Sequence, residues 1–274
     1  MDRSARAHWD RLAKNWRIVE PLAPGQEDID WFEREAAKLS VRPHLDALLL
    51  GVTAGIATMR WPAATRLLAA DWSPGMLKIV WPATGTPDIS SVVCTDWREL
   101  PLAAASRDLA IGDGCYSALP GTDGIAAFNA ELRRVLRPGG RVLIRSFCRP
   151  ATPLQVSQLF EALLGGRIRN LDLFRWLLAM ALQGPSRQGV AMRTVWEAWA
   201  RHVPDGGAMR ERMGWTEDGL ANVERWAHSE GRYTFLTLEE LRQLAAPHFD
   251  VVSCDIPGYD RGELFPRLHL RARP

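Results

Sequence analysis

The chain has 274 residues, 47% of them hydrophobic and 24% charged, with 34 Lys+Arg against 32 Asp+Glu and a formal net charge of +2. That is the profile of an ordinary globular protein, long enough for one large domain or a domain carrying an insert. The near balance of charge lacks the basic excess of a nucleic-acid or membrane-surface binder, so neither partner is expected.

The N-terminal stretch "MDRSARAHWD" is charged and has no apolar signal region, which leads us to expect a cytoplasmic protein. Trp9, Leu12 and Trp16 follow helical spacing until Pro21 and Pro24-Gly25 break it. A second helix is expected over "EDIDWFEREAAKL", with Ile29, Phe32, Ala36 and Leu39 on one face.

The rhythm then changes. "LDALLL" (45–50) is a short continuous apolar run ending at glycine, as in a buried parallel strand. "TRLLAAD" (65–71) is a second, followed by Ser73-Pro74, which reads as a helix N-cap and first helical position. "ISSVVCTD" (89–96), "RDLAIGD" (107–113) and "RVLIRSF" (141–147) are the third, fourth and fifth strands. The helix "IAAFNAELRRVL" (125–136) separates the last two and ends at Pro138-Gly139-Gly140. Strands alternating with helices predict a parallel sheet covered on both faces.

Residues 151–230 abandon that alternation. Four segments, beginning at "PLQVSQLFEALL" and ending at "DGLANVERWAHSE", read as helices. Alternation resumes with "TLEELRQLAAPHF", where Thr237 and Glu240 have capping-box spacing, and with the closing strands "DVVSCDI" and "RLHLRAR". The expected organisation is an N-terminal helical cap (1–43), an α/β core (44–149), a helical insert (150–235) lying as a lid over the carboxyl edge of the sheet, and a closing part of the core (236–274). Open α/β sheets bind ligands at that edge.

Four features stand at strand ends. Gly51-Val52-Thr53-Ala54-Gly55 allows a sharp turn and a close approach of backbone to ligand, though glycines after a strand are also plain turn residues. Asp71, twenty positions after Gly51, can accept both hydroxyls of a ribose, or merely cap a helix. Asp96-Trp97 can meet a base amine and flank the base, or stand as an exposed acid in a loop. "LRRVLRPGGRVLI" joins helix, glycine turn and strand.

In this order and spacing the segments "LLLGVTAG", "LLAADWSPGML", "VVCTDWRELPLAAASRDLAIGDG" and "ELRRVLRPGGRVLI" resemble the class I S-adenosylmethionine-dependent methyltransferases. The resemblance covers about 45–147 and returns over 236–274. It implies a Rossmann-like seven-stranded methyltransferase sheet, with a helical leader and a helical insert between strands 5 and 6. It also implies S-adenosylmethionine as cofactor, held by Gly51, Thr53, Gly55, Asp71 on the ribose, Trp72 against the adenine, Met76, Asp96 with Trp97 at the base, and Asp113. Two positions depart from the family pattern. Its acid two residues before the first glycine is here Leu49, and its middle glycine is Thr53, so the methionine end of the ligand meets altered contacts.

The expected activity is methyl transfer to a small molecule, at O or N, in a pocket under the insert built by Trp176, Trp196, Trp199 and Trp226. Trp9 and Trp16 are candidates to close over it. Candidate acid–base residues are Asp113, Tyr116, His202 and His228, with His8 and Tyr233 also considered. The second reading is a non-catalytic S-adenosylmethionine-binding or regulatory protein on the same fold. The third is a dinucleotide oxidoreductase, although the Gly-x-Gly-x-x-Gly spacing is missing. Cys94, Cys115, Cys148 and Cys254 form no CxxC pair and have no histidine cluster, so no metal site and no disulfide framework are expected. Among protein partners only a homodimer is left open.

Overall fold

The computed structural model describes residues 6, 9–10, 13–14, 18–39, 43–83 and 90–274. After helix α1 (Gln26–Ala37) the chain lays down β1 (Leu45–Leu50), the short α2 (Ala54–Ala57), β2 (Thr65–Asp71) and β3 (Ser90–Cys94). It continues with β4 (Arg107–Asp113), α3 (Gly121–Val135) and β5 (Leu136–Arg145). The helices α4 (Val156–Leu164) and α5 (Leu171–Leu182) follow, then β6 (Val190–Ala191), α6 (Met192–His202), α7 (Gly206–Met213), α8 (Glu217–Glu224) and β7 (Arg232–Tyr233). Last come α9 (Leu238–Ala245), β8 (Phe249–Asp255) and β9 (Arg267–Ala272).

One seven-stranded sheet runs in the order β3-β2-β1-β4-β5-β9-β8. Pairings from β3 to β5 are parallel, while β9 is antiparallel to both β5 and β8. The seven-stranded α/β sheet expected from the sequence is therefore present. Its order reverses between β1 and β4, and that switch point is where such sheets hold ligands. The "LDALLL" run is apolar throughout because both faces of β1 are covered. Ala47 and Leu49 join the cluster under α1, and Leu48 and Leu50 join the one under α3 and α9. Each of these leucines contributes roughly 1.5–3 kcal/mol of burial.

Three local expectations change. First, the buried stripe of α1 is wider than the expected face: Phe32 and Ala36 are buried and Ile29 and Leu39 pack partly buried against the same cluster, but Asp28, Trp31 and Glu35 are buried with them. Two acids are tolerated inside because each is engaged: Asp28 by Arg145 and Arg267, Glu35 by His269 Nδ1 at 3.2 Å. Second, β5 begins before the Pro-Gly-Gly segment. Leu136 pairs with Arg107 and Arg141 with Leu109, so the glycines form a bulge, with Gly139 at φ +75°. Third, α7 and the two-stranded β6–β7 sheet were not foreseen.

The capping box of α9 is formed: Glu240 N donates to Thr237 Oγ1 at 3.1 Å, and Thr237 N to Glu240 Oε2 at 2.7 Å. Helices α4–α8 share a core of their own, with Phe160, Phe174, Leu177 and Trp199 at its centre. Leu22 and Phe265 belong to the same cluster and weld it to the rest. Gln183 pins the two ends of this region together: its amide nitrogen donates to Phe235 O and its oxygen accepts from Phe235 N, both at 2.7 Å. Among the described residues no helix is long and apolar enough to cross a membrane.

Candidate functional site

A cavity of about 290 Å³ opens at the carboxyl ends of β1, β2 and β4. Its floor is Leu50 to Gly55, Asp71, Trp97 and Asp113 to Cys115. Its roof is Arg175 and Trp176 of α5, Asn222 of α8, Trp226 and Tyr233. Ile18, Leu22, Ala23 and Pro24 close one side. Strand ends and helical region thus enclose a single continuous space.

The first turn is shaped by two glycines for different reasons. Gly51 has φ +91°, a left-handed value that disfavours side chains. A Cβ there would stand 3.7 Å from the Trp97 ring and 3.8 Å from Asp71 Oδ2, inside the cradle. Gly55 serves packing, since a Cβ would come within 3.0 Å of Ile29 Cδ1 on α1. Thr53 lies at the cavity wall and N-caps α2 without a side-chain bond. Leu49 is fully buried on the opposite face, so β1 itself offers no acid to the ligand.

Asp71 is 7% exposed and accepts from Ser73 N through Oδ1 at 2.8 Å. Burial pushes its carboxyl up to about 7; the Ser73 and Trp72 amides oppose this, and the Asp10 charge adds to it. Asp10 also accepts from Ser73 Oγ at 2.6 Å and Gly75 N at 2.8 Å, while Ser73 Oγ accepts from Met76 N. This network lodges Met76 in the wall. Because the folded state raises the Asp71 pKa above its ordinary 3.8, its contribution to stability is full below that value and is lost as pH rises through about 7. Asp71→Asn should therefore match the parent at pH 4 and melt about 5 °C higher at pH 8 without ligand. A pH-independent difference in melting temperature would contradict this.

Trp97 donates its indole N–H to Ala70 O at 2.6 Å, the carbonyl that also accepts from Gly51 N at 2.8 Å. Its ring is thereby fixed beneath the turn. Asp96 and Trp72 are placed differently from the expectation, for neither lines the cavity. Arg98, two residues on, takes both oxygens of Asp96, through Nε at 3.0 Å and Nη2 at 2.7 Å. Trp72 lies beyond the end of β2, half-buried, with its carbonyl accepting from the Cys94 thiol.

Asp113 does line the cavity, but it is not free. Arg145, with no exposed side-chain surface, donates from Nε to Oδ1 at 2.6 Å and from Nη2 to Oδ2 at 3.0 Å. Burial pushes the Asp113 carboxyl up, against the pull of that guanidinium. Arg145 reaches further, to Pro21 O and Leu22 O at 2.8 Å each, Tyr259 Oη at 3.2 Å and Asp28 at 3.3 Å. It thus holds the segment that closes the cavity's side.

Of the remaining acid–base candidates Tyr233 stands in the roof of the cavity, whereas Tyr116, His202 and His228 do not line it. The Tyr116 hydroxyl donates to Asn129 Oδ1 at 2.9 Å, and burial pushes its pKa up. His202 stacks on Phe160 at 4.0 Å, and its Nδ1 lies 2.8 Å from Ala198 O. His228 is exposed at a helix end away from the cavity. His8 and Trp16 lie outside the described residues. Of the four tryptophans expected in the pocket, Trp176 and Trp226 line it. Trp199 sits in the core of the helical region, and Trp196 turns outward to Glu224, because α6 buries its 195–199 face. Trp9 is present at the wall, edge-on to Tyr233 at 6.2 Å.

Several lining residues were not singled out from the sequence: Asp172, Arg175, Asn222, Phe147 and the 18–24 segment. Arg175 had one local signal, a charge inside the apolar run "LDLFRWLLAMAL". Among the described residues no group of three or more His, Cys, Asp or Glu is placed to hold a metal.

Comparison with known proteins finds similarity over the core. Residues 48–144 match the family described as a methyltransferase domain. A demethylmenaquinone methyltransferase of Corynebacterium urealyticum is 27% identical over 147 residues, 53% of this chain and 60% of that one. The chain spans less than two thirds of the length of the first curated relatives it matches. Among solved structures, one from Rhodobacter sphaeroides described as a Zn-dependent alcohol dehydrogenase superposes over all of both chains with a TM-score of 0.64 at 13% identity. The N-methyltransferase NodS of Bradyrhizobium japonicum, bound to S-adenosylhomocysteine, superposes over 99% of this chain and all of its own, at TM-score 0.56 and 14% identity. At such identities the structural likeness establishes the fold alone.

Proposed function

We propose that this chain, whose core is a methyltransferase domain of the S-adenosylmethionine-dependent class I kind, transfers a methyl group to O or N of a small molecule held beneath the α4–α8 region. S-adenosylmethionine is the cofactor of that family, and the cradle fits its adenosine half. Gly51 leaves open the space a Cβ would fill, the buried Asp71 carboxylate presents Oδ2 beside it, and the fixed Trp97 ring supplies a flat floor. In this reading Asp71 accepts from the ribose hydroxyls, and the Gly51–Gly55 turn and Met76 shape the surrounding wall.

The observation that carries the proposal is the continuity of the cavity. Asp71 and Gly51 at one end and Trp176 and Tyr233 at the other line the same enclosed space. When bound, the cofactor supplies a methyl on a sulfonium, a leaving group that needs no acid. The protein's share is then orientation and exclusion of water. The aromatic roof and the 18–24 segment, held by Arg145, perform the second task. The division into cap (1–43), core (44–149 with 236–274) and insert (150–235) belongs to the same proposal, with the insert as acceptor lid.

A second reading, a non-catalytic binder, draws support from one feature. Asp113 is bound by Arg145 and Asp172 by Arg175, and Asp71, the third lining carboxylate, is given to the cofactor ribose in this reading, so none is left as a base facing the acceptor. Under the transfer reading the acceptor must therefore arrive as a ready nucleophile. Calorimetry should show binding of both S-adenosylmethionine and S-adenosylhomocysteine. Mass analysis should then show a labelled methyl on an acceptor. Lack of binding by a folded sample would sink both readings, and binding without transfer to any acceptor would select the second.

A further inference from the structure

The acceptor end of the cavity has a distinct chemistry. Its walls are rings set at angles. Trp176 stands edge-on to Tyr233 at 4.6 Å, with Phe147 at 5.7 Å and Trp226 at 6.3 Å, and the buried Phe235 backs it from behind the wall at 5.1 Å. The ring faces and edges that line this end offer apolar and aromatic contact to a conjugated planar occupant.

Into this wall α5 places one guanidinium. The Arg175 side chain is 11% exposed and lies over the Trp226 ring at 4.6 Å. Burial pulls its pKa down against the attraction of Asp172, and the charge of Arg225 acts in the same direction as burial. Asp172 accepts from Nη2, while Nε is buried without a hydrogen-bond partner among the described residues. A guanidinium at the wall of an aromatic pocket, with one N–H unpartnered among the described residues, is answered by an anionic oxygen.

We propose that the acceptor is an aromatic acid: a planar ring among Trp176, Tyr233 and Phe147, with its carboxylate or equivalent acidic oxygen against Arg175. This rests on the transfer reading above and names its substrate class. The aromatic wall supplies apolar contact, and Arg175 fixes which end of the molecule faces away from the cofactor cradle. A neutral isostere fills the same slot without answering the guanidinium, so the site discriminates by charge.

The test titrates 2-naphthoate, 2-naphthamide and 2-naphthylmethylammonium into the protein, with and without S-adenosylhomocysteine, reading tryptophan fluorescence. We expect naphthoate to bind at least about tenfold tighter than the amide, and the ammonium to bind weakest. Arg175→Gln should abolish the preference for acid over amide. Asp172→Asn should strengthen naphthoate binding several-fold by removing the competing carboxylate, a gain that a merely structural role for the pair does not produce. Melting curves and a titration of S-adenosylhomocysteine report on folding and on the cofactor end of each variant. Equal binding of acid and amide, a preference for the ammonium, or no naphthyl binding at all would overturn the acceptor class while leaving cofactor binding standing. Loss of S-adenosylhomocysteine binding with naphthoate selectivity retained would instead remove the transfer reading and support an acidic ligand at this end.

Discussion

Asp71→Ala is expected to weaken S-adenosylhomocysteine binding by about 100-fold or more while leaving the protein folded. The carboxylate is 7% exposed, and its backbone bond from Ser73 aims it toward Gly51. Two hydroxyls donating to one charged group are worth about 1.5–3 kcal/mol each, which sets the scale of the loss. The pH dependence carries a second signature. With its carboxyl pushed up to about 7, Asp71 is partly protonated in the free protein at neutral pH, and ligand hydroxyls favour the ionised form. Affinity in the parent protein should therefore rise with pH, by roughly tenfold from pH 6 to pH 8, and level off above. The Ala variant should show a flat profile. Calorimetry at three pH values checks both parts, and an Asp71→Ala protein that binds like the parent would take Asp71 out of the site.

The sheet was legible because its information is local and redundant. β1, β2 and β4 are apolar runs with an abrupt end, and burial on both faces dictates that pattern. Capping chemistry was legible for the same reason: Thr237 and Glu240 meet within a single turn. The helical region was half legible. Its long apolar helices announced themselves, but α7 buries only Met209 and starts with two glycines, so its sequence carries little periodic signal.

The site was readable where a side chain's partner lies on its own strand end. Gly51, Asp71 and Trp97 come together because β1, β2 and the loop after β3 are neighbours in the sheet. Asp96 shows the opposite case. Its type and position suited a base contact, yet Arg98 two residues on captures both oxygens, a competition that motif spacing ignores. Which helical-region tryptophans face the cavity depended on how α5, α6 and the Trp226 turn pack against one another, and the sequence alone has no term for that. The charges that proved informative were those out of place: Arg145 in an apolar strand and Arg175 in an apolar helix each required a buried partner.

Arg145→Met should be the most destabilising single change in the molecule's interior, costing about 3–5 kcal/mol. The guanidinium joins Asp113 and Asp28, and Arg267 and Tyr259 complete the cluster around Asp28. Methionine fills similar volume but donates nothing. Asp113 then stays buried as an unpaired acid, and the Pro21 and Leu22 carbonyls lose their donor. The expected drop in melting temperature is about 10 °C for a chain of this size. The loss should come mostly from the stranded carboxylate rather than from the pair itself, because a buried ion pair barely repays its own desolvation. Adding Asp113→Leu to Arg145→Met should therefore recover part of the stability, a coupling that thermal melts of the two single variants and the double variant resolve. Additive losses would mean that Arg145 acts on the 18–24 segment alone, through its two carbonyl bonds. In that case Arg145→Met should still weaken cofactor binding, since Leu22, Ala23 and Pro24 form the cavity's side wall.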